Sequence, residues 1–211
     1  MHHTRGVQHS PVGPRARDPQ IAIALSWPTA GTQPNGLRCV AMDTLFGLPA
    51  HPFLVHVPLV LIPLAAVGVV FMVIKPVWHE RYRWVVLALG AVGTLGAILA
   101  ASAGDSLADR IIDVAGPEVA RRWEEHAERG ETARNIAIVF FIVLAAYVLV
   151  PWLLQRRQSD VTTMPAARMR TIRIALAALA IVGAAASVTT ITLAGHSGSD
   201  AVWSDYVRSS P

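Results

Sequence analysis

From residue 42 onward the chain alternates long apolar runs with short polar connections, and the runs have the length of a bilayer. Pro52–Ile74 holds 23 residues without Asp, Glu, Lys or Arg; Trp84–Gly104 holds 21, Ile136–Leu154 holds 19 and Ile174–Ala194 holds 21. A helix needs about 20 such residues to cross the hydrocarbon. None of the runs alternates apolar and polar residues, as a barrel strand would. Lipid offers no partner to exposed backbone groups, so the pattern predicts four membrane-spanning helices. The fold class is therefore all-α: an integral membrane four-helix bundle. Pro58 and Pro63 fall inside the first span and predict a kink there.

The connection 105–135 is itself patterned. Leu107, Ile111 and Ala115 recur at helical spacing, and Pro117 opens a second stripe of Val119, Trp123 and Ala127. The expectation is a short amphipathic helical loop between the second and third spans, lying at the membrane surface with Trp123 as an anchor. Gly130 weakens its continuity with the third span. Gly90, Gly93 and Gly96, and the run Gly183–Ser187, supply the small residues that let helices approach closely in lipid.

Composition agrees. The chain is 53% hydrophobic and 15% charged, with mean hydropathy +0.45. A soluble domain carries about 25% charged residues. The net charge of +4 comes from arginines in connections beside apolar runs, which points to membrane topology and away from nucleic acid. Connections 75–83 and 155–173 are strongly basic, whereas 105–135 has five arginines against eight acids. The positive-inside rule then places the first and third connections in the cytoplasm and both termini outside a bacterial plasma membrane. Residues 1–41, rich in Pro, Gly, Arg and His, are expected to be disordered. Met42, just before the ordered pattern, is expected to be the true start. Residues 42–207 form the four-span domain. Cys39 is the only cysteine, so no intrachain disulfide or cysteine-based metal site is available. There is neither a phosphate-binding loop nor a nucleophile elbow, and no enzymatic reaction is assigned.

The candidate chemistry is histidine. His51, His56, His126 and His196 all map to the outer face, where Asp105 also ends the second span; only His79 maps to the inner side. Five residues separate His51 from His56, about 140° around a helix, so the two do not share a face. His56, the deeper of the pair, is the better candidate for a buried role. Four roles compete. A b-type haem would take its axial pair from facing helices, as His56 with His196 or His56 with His126. A transition metal, copper or zinc, would use three or four of the histidines and acids, Asp105 included. A proton relay or small permease would string His56, Asp105 and His196 together. The last role is plain capping of helix ends in a non-catalytic scaffold subunit. The haem- or metal-binding redox subunit is the leading reading. Its expected partners are the lipid bilayer and either a redox protein or a second copy of the chain.

Three segments, "LFGLPAHPFLVHVPLVLIPLAA", "HAERGETARN" and "GHSGSDAVW", resemble a family of bacterial four-helix predicted membrane proteins catalogued as a domain of unknown function. Its marks are an opening GLP-x-HP-x-x-VH-x-P, an H-A-x-x-G before the third helix and a closing GH-x-G-x-x-x-VW. The resemblance covers about Met42 to Trp203, with Ser199 where alanine is expected. It implies the four-span architecture and places His51, His56, His126 and His196 in the family pattern. Related domains that accompany cytochrome-type or iron–sulfur modules lean it toward redox chemistry.

Overall fold

The computed structural model describes residues 44–157 and 165–209. The expectations for residues 1–41 and for a start at Met42 lie outside them. Thr44–Leu45 (β1) pairs antiparallel with Leu48–Pro49 (β2), Thr44 opposite Pro49 and Leu45 opposite Leu48. The two turn residues, Phe46 and Gly47, have φ of 53° and 79°. Positive φ at both central positions is what a two-residue hairpin turn needs to match strand twist, and Gly47 adopts it without a Cβ penalty.

Five helices follow: α1 (His51–Leu54), α2 (His56–Ile74), α3 (Pro76–Ile112), α4 (Pro117–Arg157) and α5 (Ala166–Ser209). Prolines sit at the starts of α1, α3 and α4, where the missing N–H has no intrahelical partner to lose. The break at Val55 has a proline origin as well. Pro58 offers no N–H to the Leu54 carbonyl, and its ring crowds that carbonyl. Pro63, by contrast, lies inside unbroken α2.

Four helical stretches are long and apolar enough to cross a membrane, with α1 and α2 acting together as the first. α2 packs on α3, α3 on α4, α4 on α5 and α5 back on α2, which closes a ring of sequence neighbours. The core runs through Ile62, Val69 and Met72 of α2, Val86 of α3, Phe140, Leu144 and Val148 of α4, and Ala180, Ala184 and Ile191 of α5. Leu59, Val67, Val92, Leu95, Ile142 and Val182 are exposed on the perimeter. Helices that are apolar all round belong in a nonpolar solvent.

With hydrocarbon on the outside, burial of apolar surface supplies no drive to associate, and close contact must. The glycines of α3 provide it. An ideal Cβ on Gly90 would stand 2.7 Å from the Leu144 side chain, on Gly93 2.8 Å from Ile62, and on Gly96 2.6 Å from Val57. Two hydroxyls add links between helices: Thr94 donates to the Ala137 carbonyl (3.3 Å) and Ser187 to the Ile136 carbonyl (3.4 Å).

The segment between the second and third spans departs from expectation. Both amphipathic stretches are helical, but neither is a separate surface helix. One is the end of α3 and the other the beginning of α4, and only Asp113–Gly116 connects them. At 41 residues α4 is about 60 Å long, twice the hydrocarbon thickness. Gly130 does not interrupt it. One mid-helix glycine costs about 1 kcal/mol. Ion pairs of Arg129 with Glu125 and Arg134 with Glu131, one turn apart, hold the helix on either side.

A histidine pair in an apolar cavity

At the end of the bundle where α1 begins and α3 turns into α4, small residues leave a space. Ala97, Ala101, Ala108, Ala127, Ala133 and Gly195 are among the residues around a cavity of about 350 Å³. Two histidines enter it from different hairpins.

His51, the first residue of α1, crosses to α3. Its Nδ1 lies 2.7 Å from the Ala100 carbonyl, and its ring lies so close to Gly104 that a Cβ there would be 2.9 Å from it. His126 of α4 does the same to α5. Its Nδ1 lies 3.2 Å from Ser197 Oγ, and a Cβ on Gly198 would stand 2.9 Å from its Cε1. The two halves therefore match. Each hairpin supplies one imidazole lying on a glycine, with an alanine four residues earlier: Ala100 and Gly104 in α3, Ala194 and Gly198 in α5.

The Ala100 carbonyl fixes the His51 tautomer, and the Ser197 contact favours the same one for His126. A carbonyl only accepts, so His51 donates from Nδ1. The Ser197 hydroxyl has one proton and donates it to the Ala194 carbonyl at 2.9 Å, so it accepts from His126 Nδ1. An imidazole that donates from Nδ1 keeps Nε2 as its remaining site for a lone pair. The ring centroids are 5.8 Å apart with planes at 78°, and Trp123 approaches His126 edge-on at 6.1 Å. Asp105, Glu131 and Arg134 also line the cavity. Asp105 is exposed, and Arg134 is paired with Glu131.

His56 and His196 do not join this pair. His56 is exposed, with Nδ1 2.7 Å from the Pro52 carbonyl of its own segment, and it lines no part of the cavity. The two rings meet different partners, and it is His51 that reaches across to α3 and lines the cavity. His196 is also exposed. It precedes the buried Ser197 by one residue, about 100° around the helix. The haem pair His56 with His196 thus lacks both of its members in the cavity, the pair His56 with His126 lacks His56, and a relay through His56, Asp105 and His196 lacks its two histidines. Among the described residues no three His, Cys, Asp or Glu side chains converge on a common point, so a copper or zinc site of three or four such ligands has no ligand set. His79 is buried at the opposite end, edge-on to Tyr147 at 5.1 Å, and has no hydrogen-bond partner for either ring nitrogen.

Sequence reading missed Gly104, Ser197 and Gly198 as members of the site. Their signal was the repeated alanine and glycine four apart, which is visible in the chain but has no meaning until α3 and α5 each lie beside an imidazole.

A family model described as "Predicted membrane protein (DUF2231)" matches residues 47–211. No curated protein and no solved structure matches the chain.

Proposed function

The chain belongs to the DUF2231 family of predicted membrane proteins, and from that premise we propose that it is a small cofactor-binding redox subunit in which His51 and His126 hold a b-type haem. The observation that carries this reading is the pair of imidazoles brought to one largely apolar cavity by two separate hairpins, with ring centroids 5.8 Å apart. A haem would be held by His51 and His126, one imidazole from each hairpin, whereas a hydrolytic metal would need more ligands than these two. A ligating imidazole typically donates its other N–H to a carbonyl or similar acceptor, which holds the ring and strengthens the donor. Ala100 and Ser197 do this here. The alanine and glycine walls add little side-chain bulk around the two rings.

Bound haem iron would supply one-electron chemistry. His51 and His126 would hold it, with Ala100 and Ser197 orienting the two rings. Lys75, Arg81 and Arg83 at one end of the bundle, with Arg156, Arg168, Arg170 and Arg173, support a cytoplasmic location for that end. The cavity and both termini are then extracytoplasmic, in a bacterial plasma membrane, where a redox protein would be the partner.

Two measurements test this. Hemin titrated into the detergent-purified protein is expected to give a saturable, stoichiometric Soret band. A folded protein that takes up no hemin would overturn the assignment. For orientation, a cysteine placed at Val114, exposed in the α3–α4 turn, in a Cys39→Ser background should react with an impermeant maleimide on intact spheroplasts. Reaction only after lysis would reverse the topology.

A further inference from the structure

Far from the histidine pair, the lipid-facing side of α2 and α3 carries two shallow grooves. The first, about 330 Å³, has its floor where α2 and α3 touch: a Cβ on Gly68 would stand 2.6 Å from Val86. Leu64 walls the end deeper in the span, and Phe71, Trp78 and Tyr82 wall the end nearest the α2–α3 connection, Phe71 edge-on to Trp78 at 5.0 Å. The second, about 420 Å³, runs along Leu61, Trp84, Ala88 and Val92 and is almost wholly apolar. Val85 and Leu89 belong to both, so the grooves lie on either side of one ridge.

The charges sit at one end only. Lys75 Nζ is 5.6 Å from the Trp78 ring centre, and Arg81 Cζ is 5.9 Å from that of Tyr82. Both cations are exposed and so rest on the aromatic walls of the first groove. Neither has an acidic partner among the described residues. The neighbouring carboxylate, Glu80, is taken by Arg83 and lies 3.6 Å from His79.

We propose that these grooves form a binding site for one anionic phospholipid, with its two acyl chains on either side of the Val85–Leu89 ridge and its phosphate between Lys75 and Arg81. The depths agree. Trp and Tyr side chains favour the interface, the cations stand just beyond it, and the grooves continue into the apolar span. The complementarity is specific: two unpaired cations ask for negative charge, and paired apolar furrows ask for a diacyl tail. The site is independent of the haem reading.

The test is native mass spectrometry of the full chain in detergent, with equal amounts of dioleoyl phosphatidylglycerol and dioleoyl phosphatidylcholine. The monomer is expected to retain one phosphatidylglycerol in preference to phosphatidylcholine. The surface variant Lys75→Gln/Arg81→Gln should lower that preference about fivefold for each cation removed. Arg168→Gln/Arg170→Gln, which removes two exposed arginines that do not line the grooves, should leave it unchanged. Equal retention of the two lipids by the wild-type chain overturns the proposal. So does a preference that survives Lys75→Gln/Arg81→Gln, or a dimer that holds no phosphatidylglycerol and shows that a second copy covers the ridge.

Discussion

His51→Ala and His126→Ala are each expected to weaken hemin binding by more than about a hundredfold and to remove the low-spin Soret band, while His56→Ala and His196→Ala leave both unchanged. The contrast is the point of the experiment. All four residues are histidines within the membrane-proximal family motifs, and depth along the sequence favoured His56. The structure decides otherwise. Only His51 and His126 line the cavity, whereas His56 and His196 are exposed. Losing an axial donor removes a bond to iron, and losing a residue that merely orients the donor costs about 10–100-fold. Ser197→Ala therefore serves as the intermediate case. It deletes the acceptor that holds His126 Nδ1–H but leaves the imidazole in place, so a loss near tenfold with the band retained is expected. An intact band in His126→Ala, or its disappearance in His56→Ala, would move the axial pair elsewhere.

Gly96→Leu is expected to be the most damaging single change away from the cavity. A Cβ at Gly96 already falls 2.6 Å from Val57 Cγ1, 2.8 Å from Val57 Cβ and 3.1 Å from Pro58 Cδ. Neither neighbour can give way easily. Valine is branched at Cβ and restricted to few rotamers, and the proline ring is fixed to the backbone. Overpacking typically costs about 1–3 kcal/mol, and a leucine between two rigid neighbours should reach or exceed the top of that range. Because packing contact is what joins α2 to α3 in lipid, the loss should appear directly as a lower midpoint of thermal unfolding in detergent. Gly130→Ala is the control. Nothing lies within 4 Å of its Cβ position, and alanine is the better helix former by about 1 kcal/mol, so its midpoint should hold or rise. A Gly96→Leu protein as stable as the wild type would show that α2 and α3 are not held by this contact.

The two results bear on different properties of the same helix. Gly90, Gly93 and Gly96 admit the neighbouring helices, whereas Gly104, two turns beyond Gly96, admits an imidazole. One glycine-rich stripe thus changes its use along its length, from packing in the span to shaping the cavity at its end.

The run lengths alone determined the four spans, because backbone desolvation in hydrocarbon leaves a chain with this pattern no other regular structure. The glycine stripe was legible for the same reason: close approach in lipid needs small residues, and α3 repeats them every third position. Tertiary structure alone decided what happens at the bundle's end. Whether 107–112 and 117–130 lie flat or continue the spans depends on contacts between α3, α4 and α5 that no local pattern encodes. The choice of His51 over His56 turned on which of the two rings faces α3, a contact that depth along the span does not encode. The partnership of His51 with His126 spans 75 positions of sequence. It exists only because two hairpins pack side by side, each placing an alanine carbonyl and a glycine four residues later beneath the ring that its partner helix supplies.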